Sequence, residues 1–393
     1  MQSATSARDL DVARIPTPGL IADYATQRIT AAARTLWPTA ALRLGHIIAS
    51  VTSHVQQIDV NDRTLYAKVE LLGASMVSVL RGAFGDWPTV RAAQAAYLAS
   101  PGTVLEREAN QLRALAAAGL RVPAVAGRLQ GVLFTEHVQG PSLAELITAT
   151  PSRTAGLLQQ TAREVDSAMR QPDLVALVDR APMVERSIVG TFMRKFNGIS
   201  GPTYLLGTQY GEALSVVVSR LRSAHAEPSP ALARPIVFGD LKPEHVLFPP
   251  GERPVFIDPG LMRGPLCTDP AKLMSRLVLG LVGRPPAGDD VRLVLDGITA
   301  STRETTAHMH ATDESAWRRQ ALVLWLMDTT NILTTYLNNP RDLPLTEQAT
   351  AVVARAWQVC GMLDRATAAL SPRRSTGDTW DCCLAEAAAA ALR

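Results

Sequence analysis

The chain has 393 residues, 47% of them hydrophobic and 19% charged, with a formal net charge of +3. This is the composition of a soluble globular protein with enough apolar residues for a large core in one or two domains, and the charge balance excludes electrostatic capture of nucleic acid or of an anionic membrane surface. No uninterrupted apolar run reaches the ~18 residues that span a bilayer, and the amino-terminal MQSATSARDLDVARIPTPG lacks a basic segment followed by an apolar core, so cytoplasmic residence is expected.

Periodicity divides the chain into a mixed first third and a helical remainder. The run TLYAKVELL alternates Leu65, Ala67, Val69 and Leu71 against Tyr66, Lys68 and Glu70, the pattern of a half-buried strand. GTVLEREANQLRALAAAGL follows as a helix, with Thr103 and Glu106 spaced as a capping box. Set on a helical wheel, Leu105, Ala109, Leu112, Leu115 and Ala116 form one apolar stripe, and Glu108 falls inside it. A carboxylate there needs a cation, because leaving it unpaired costs several kcal/mol. Lys68 on the preceding strand is the candidate; the alternative is a Glu108 that reaches water at the edge of the stripe. Between strand and helix, Asp86 with Pro88 predicts a further helix start.

GVLFTEHV is a predicted strand, and Ser142 with Glu145 in GPSLAELI forms a second capping box after a boundary at Gly140 and Pro141. Amphipathic helices dominate from Leu143 onward. They include YGEALSVVVSRLRSA, DPAKLMSRLVLGLVG, ESAWRRQALVLWLMDTTNILTTYL and LTEQATAVVARAWQVCGML.

Short apolar runs interrupt these helices in PIVFGDLKPEHVLFPPGERPVFIDPG. Asp240 and Asp258 each follow such a run, so two carboxylates are expected at adjacent strand ends. That arrangement suits phosphoryl transfer, with one carboxylate orienting and deprotonating an acceptor hydroxyl and the other holding a metal that bridges phosphates. For either motif alone the competing reading is a turn aspartate bonding its own backbone; order and spacing together favour the chemical one.

Two composition features add to this. Only Lys68, Lys195, Lys242 and Lys272 are lysines among 39 basic residues, so each is a candidate for a specific role. The cysteines Cys267, Cys360, Cys382 and Cys383 contain no CxxC pair and are read as reduced thiols.

In their order, these motifs resemble those of the aminoglycoside phosphotransferase and choline kinase-like branch of the protein kinase-like superfamily, over roughly residues 40–280. The resemblance implies an α+β, bilobal protein kinase-like fold. It consists of a small mixed sheet-and-helix N-lobe over residues 1–139, with an insert near 70–102, and a large, mostly helical C-lobe over 140–393 that carries the catalytic loop and the substrate region.

It also implies roles for particular residues. Lys68 and Glu108 match the nucleotide-binding lysine and its helix glutamate, and the hinge Glu136–Val138 in LFTEHVQG matches the segment whose backbone binds adenine. Asp240 in FGDLKPEHVLF matches the catalytic aspartate, and Asp258 in FIDPG the metal-binding one. The implied activity is transfer of the γ-phosphate of ATP or GTP, with Mg2+ or Mn2+, to a hydroxyl of a small molecule such as an antibiotic or a pathway intermediate.

Several positions depart from the family pattern. His245 stands where the family usually has a metal-binding asparagine, Lys242 is placed to contact the transferring phosphate, and Phe238 replaces a histidine as a packing residue. The phosphate loop is Ala49 to His54, in which Ser50, Thr52 and Ser53 and their backbone N–H groups stand in for glycines. The 40-residue separation of Lys68 and Glu108 is about twice the family spacing, which defines the insert. From Leu261 to Arg393, 14 acidic residues face 14 lysines and arginines, a balance that argues against a polycationic acceptor. Two alternatives remain at this level, a Ser/Thr kinase acting on a peptide or protein and a nucleotide-binding pseudokinase that works as an interaction module.

Overall fold

The computed structural model describes residues 15–227, 234–370 and 374–393. The first part of the amino-terminal stretch read above, Met1–Arg14, lies outside them. The chain forms two compact units, and the division is not a single cut along the sequence. One unit holds the described residues through Ala109 with Ala124–His137 and Asn339–Thr346, and the other holds Asn110–Pro123, Val138–Asn338 and Glu347–Arg393.

The first unit opens with helix α1 (Pro18–Leu36), to which the sequence analysis assigned no element. Thr17 caps it by accepting the Leu20 N–H, Pro18 occupies its first turn, and Ile21, Ala25, Ile29, Ala32 and Ala33 are buried on one face. That face packs on an antiparallel sheet of β1 (Leu42–Ile48), β2 (His54–Val60), β3 (Arg63–Val69), β4 (Val125–Leu129) and β5 (Val132–Glu136), in the order β1-β2-β3-β5-β4. Central strand β3 places Lys68 opposite Val55 on one side and Leu133 on the other.

β3 stops at Val69 rather than running on to Leu72 as the alternation predicts. Leu72 and Gly73 both take left-handed backbone angles, +59° and +64°, which turn the chain out of the sheet. The region 70–102 then builds α2 (Met76–Leu80) and α3 (Trp87–Ala99), the latter capped by Asp86 with proline in its first turn. Helix α4 (Val104–Ala117) follows.

The second unit is helical, apart from two small ribbons. Its elements are α5 (Leu143–Ala149), α6 (Thr154–Met169), α7 (Pro172–Arg180), α8 (Ile188–Lys195), α9 (Ser200–Leu206) and α10 (Gly211–Ala226), then α11 (Thr268–Gly283), α12 (Gly288–Thr306), α13 (Ala311–Leu337), α14 (Glu347–Ala354), α15 (Ala356–Ala369) and α16 (Thr376–Leu392). The Ser142–Glu145 capping box forms in both directions at the start of α5. LTEQATAVVARAWQVCGML, expected as one helix, is broken at Arg355, whose backbone angles of −112° and 26° are not helical. Helix α13 is buried along most of its length, with Trp317 and Trp325 in the core.

Between α10 and α11 run β6 (Ile236–Val237), β7 (Val246–Leu247), β8 (Val255–Phe256) and β9 (Met262–Arg263). β6 pairs with β9 and β7 with β8. All four cysteines are free, and burial holds the Cys267, Cys360 and Cys383 thiols up to about 12. Among the described residues no helix is long and apolar enough to cross a membrane.

Candidate active site

In the first unit, the alternation of β3 and the helical period of α4 bring Lys68 and Glu108 together. Lys68 Nζ lies 3.0 Å from each carboxylate oxygen of Glu108, with side-chain exposures of 12% and 2%. The alternative of a solvated Glu108 is therefore not the one observed. The apolar stripe of α4 is rotated from the expected one: Ala116 is exposed and Gln111 is buried. Gln111 faces inward because its amide pairs with the Leu261 backbone, accepting the Leu261 N–H at 2.9 Å and donating to its carbonyl at 3.3 Å.

The loop between β1 and β2 folds on itself. Ser50 Oγ lies 3.2 Å from Thr52 Oγ1 and accepts the N–H groups of Thr52 and Ser53 at 3.3 and 3.4 Å, while Ser53 is buried. Two donors assigned to phosphate from the sequence are thus taken up by the loop's own hydroxyl, a common habit of serine in turns. At the end of β5, Glu136 is paired in register with Leu65, donates its N–H to the Ala124 carbonyl at 2.9 Å and ion-pairs through its side chain with Arg63. The chain passes from the first unit to the second between His137 and Val138.

In the second unit, Asp240 follows β6 and Asp258 follows β8. They do not end adjacent strands of one sheet, as expected, but two separate ribbons tied by the Gly260 N–H donating to the Phe238 carbonyl at 3.0 Å. Gly239 makes this crossing possible: its φ is +79°, and a Cβ there would stand 2.2 Å from the Gly260 carbonyl oxygen. Phe238 is fully buried, its ring tilted against Phe256 at 5.9 Å.

Asp240 is buried and doubly ion-paired. Lys242 Nζ lies 2.9 Å from Oδ2, and Lys272 Nζ, from α11, lies 2.9 Å from Oδ1. Burial alone would raise the Asp240 carboxyl, but Lys242, Lys272 and the neighbouring His245 and Arg186 outweigh it and hold Asp240 well below the usual carboxylate range. Lys272 also approaches Asp328 on α13 at 3.8 Å; burial would lower its ammonium, and the two carboxylates keep it raised.

His245 sits in a short 3-10 turn, Pro243–His245. Its Nδ1 lies 3.1 Å from the Asp240 carbonyl oxygen, and since a carbonyl only accepts, Nδ1 carries the proton. Burial, reinforced by Lys242 and opposed by Asp258 and Asp240, lowers the imidazole to about 3, so the ring is neutral and Nε2 presents a lone pair. That lone pair faces Asp258 Oδ2 at 3.8 Å. Two acceptors facing each other fit a cation between them. Among the described residues no group of three or more His, Cys, Asp or Glu side chains could hold a metal ion, so a cation here would have at most Asp258 and His245 as protein donors.

The backbone of Asp258 is left-handed, φ +54°, unusual for a residue with a side chain. Arg186 holds it there by donating to the Asp258 and Pro259 carbonyls, both at 2.8 Å.

Sequence reasoning missed Asp269, Asp328 and Arg186, and marked Lys272 without giving it a role. Asp269, in the first turn of α11, accepts the Phe238 and Gly239 N–H groups at 2.8 and 2.7 Å and so anchors the strand that delivers Asp240. Burial pushes its carboxyl up to about 6 against those two hydrogen bonds. For Lys272 a signal existed, the rarity of lysine. Lys195, equally rare, is buried and donates to the Asn331 carbonyl at 2.6 Å and to Thr335 Oγ1 at 2.7 Å.

No known family profile matches the chain, and no curated protein matches it. Among solved structures, an amicoumacin kinase in complex with AMP-PNP, Ca2+ and Ami superposes with a TM-score of 0.55 over 89% of this chain and 96% of that one, at 13% identity. A choline/ethanolamine kinase family protein from Mesorhizobium loti gives 0.49 over 94% and 99% at 15% identity. The type VIII aminoglycoside-3'-phosphotransferase gives 0.48 over 78% and 99% at 20% identity. At 13% identity the likeness to the amicoumacin kinase is one of fold, and the kinase-like α+β fold implied by the sequence resemblance is the fold observed.

Proposed function

We propose that the chain is an ATP-dependent phosphotransferase that moves the γ-phosphate to a hydroxyl of a small molecule. The observation that carries the reading is Asp240, a buried carboxylate kept ionised by two lysines at the end of a strand, in a chain that also pairs Lys68 with Glu108. The amicoumacin kinase of the same fold, caught with AMP-PNP and a small-molecule partner, supports ATP as donor and a small molecule as acceptor.

In this reading Lys68, held by Glu108, contacts the nucleotide phosphates. Asp240 orients the acceptor hydroxyl. As the acceptor oxygen bonds to the γ-phosphorus and the bond to the bridging oxygen of ADP breaks, the hydroxyl proton passes to Asp240. Because its lysines make Asp240 a weak base, it accepts the proton late in the transfer, and its main contribution is orientation. Lys242, on Asp240 Oδ2, is placed to follow charge onto the transferring phosphate. Asp258, with His245, would hold a divalent cation, which neutralises phosphate charge when bound. The buried, protonated thiols fit a reducing, cytoplasmic setting.

A second reading, a nucleotide-binding module without turnover, is favoured by one observation: both oxygens of Asp240 are engaged by lysines. The test is ADP release and mass shift across a panel of hydroxyl compounds with MgATP, with Asp240→Asn and Asp258→Ala alongside. We expect acceptor-dependent turnover in the parent, a loss of about 10²-fold or more in Asp240→Asn, and loss of metal-dependent nucleotide binding in Asp258→Ala with the fold intact. Turnover equal to the parent in both variants refutes the site. ATP binding with no turnover on any compound establishes the second reading.

A further inference from the structure

The region 70–102 does more than lengthen the link between Lys68 and Glu108. Glu70, one residue past the end of β3, is buried. Its Oε1 accepts the hydroxyl of Tyr97 at 2.7 Å and the N–H of Leu105 at 3.2 Å. Tyr97, on α3, in turn accepts the Val104 N–H at 2.8 Å. Val104 and Leu105 open α4, and their N–H groups have no partner within a helix. Thr103 accepts a third, from Glu106, at 3.4 Å. The carboxylate of Glu70 therefore sits where the helix dipole favours negative charge.

Gln94, also on α3 and buried, closes the other side. It accepts the Leu72 N–H at 2.7 Å and donates to the Glu70 carbonyl at 3.0 Å, replacing the strand partner that β3 loses where Leu72 turns left-handed.

Two tethers thus join β3 to α4. Lys68 in β3 and Glu70 just past its end both reach α4, at residues 108 and 105, which share a face of the helix. Lys68 binds Glu108, and Glu70 with Tyr97 binds the first turn. A single ion pair leaves a helix free to pivot about it; a second tether three residues away removes that freedom.

We propose that Glu70, Gln94 and Tyr97 are positioning residues that clamp the first turn of α4 so that Glu108 is held against Lys68. The 70–102 region is then a built-in brace for the ion pair. The functional consequence rests on the reading of Lys68 as a nucleotide contact.

The test uses the scarcity of lysine. Limited acetylation of the full chain, followed by peptide mass spectrometry, gives the reactivity of Lys68 relative to Lys195, Lys242 and Lys272 in the same molecule. Tyr97→Phe and Glu70→Ala should raise the relative reactivity of Lys68 about five-fold, the equilibrium worth of one hydrogen bond, and weaken ATP binding by a similar factor. Glu70→Gln, which keeps an acceptor oxygen, should stay near the parent. Unchanged Lys68 reactivity in Tyr97→Phe and Glu70→Ala overturns the clamp, as does a rise of all four lysines together, which reports general loosening. ATP protection of Lys68 in the parent tests the nucleotide reading separately. If ATP does not protect Lys68 while the variants still expose it, the clamp stands and the nucleotide contact falls.

Discussion

Lys272→Met is the sharpest test of how the buried charges around Asp240 are held. The replacement keeps most of the side-chain volume and removes the ammonium 2.9 Å from Asp240 Oδ1 and 3.8 Å from Asp328 Oδ1. At an effective dielectric of about 20 those contacts are worth about 6 and about 4 kcal/mol of Coulomb attraction. Freeing the variant from desolvating an ammonium returns several kcal/mol, so the net loss falls near the usual cost of breaking a buried pair, about 3 kcal/mol. The lower end of that range applies because Lys242 still holds Asp240.

The pH dependence gives this loss a signature. Asp240 is depressed in the folded protein, so its contribution is fully present above the ordinary carboxylate value of 3.8 and is lost as pH falls below it. Lys272 is raised, so its contribution is fully present below its ordinary value of 10.5 and is lost above it. The stability gap between parent and Lys272→Met should therefore be level through neutral pH and narrow on acidification below 3.8. Urea unfolding of both proteins at neutral and acid pH measures it. A gap under about 0.5 kcal/mol at neutral pH, the size of a surface pair, or one that does not narrow in acid, refutes the reasoning.

Two further outcomes follow from the same loop. His245→Asn replaces a neutral imidazole nitrogen by a hard amide oxygen and should shift preference from Mn2+ toward Mg2+ in nucleotide-binding titrations; an unchanged ratio of the two metal affinities leaves His245 as a loop brace only. Gly239→Ala forces a side chain into a left-handed position against the Gly260 carbonyl and should cost at least about 2 kcal/mol in urea unfolding, whereas a near-neutral variant would show that the ribbon crossing gives way.

Local pattern made parts of this protein legible in the sequence. Alternation put Lys68 on a strand, the helical period put Glu108 in an apolar stripe, and an apolar wheel with one carboxylate demands a cation. The Ser142–Glu145 box and the Asp86 cap were readable because a cap is a contact between residues three apart. The order of Lys68, Glu108, Asp240 and Asp258 was readable because order along the chain is a property of the sequence itself, even where an insert stretches the spacing.

The tertiary structure decided what depends on distant partners. Lys272 reaches Asp240 across 32 positions of sequence, and no periodicity marks the encounter. Gln111 turns inward for a backbone pair at Leu261, which rotates the buried face of α4 away from the one its wheel prescribes. Glu70 reads as the polar face of a strand, yet it is buried, because α3 and α4 arrive over that face with a tyrosine hydroxyl and an unpaired helix N–H that a carboxylate satisfies. Short-range order follows from residue type and spacing, whereas the burial of a charge depends on which groups the fold brings to meet it. That meeting is absent from any window of sequence short enough to show a pattern.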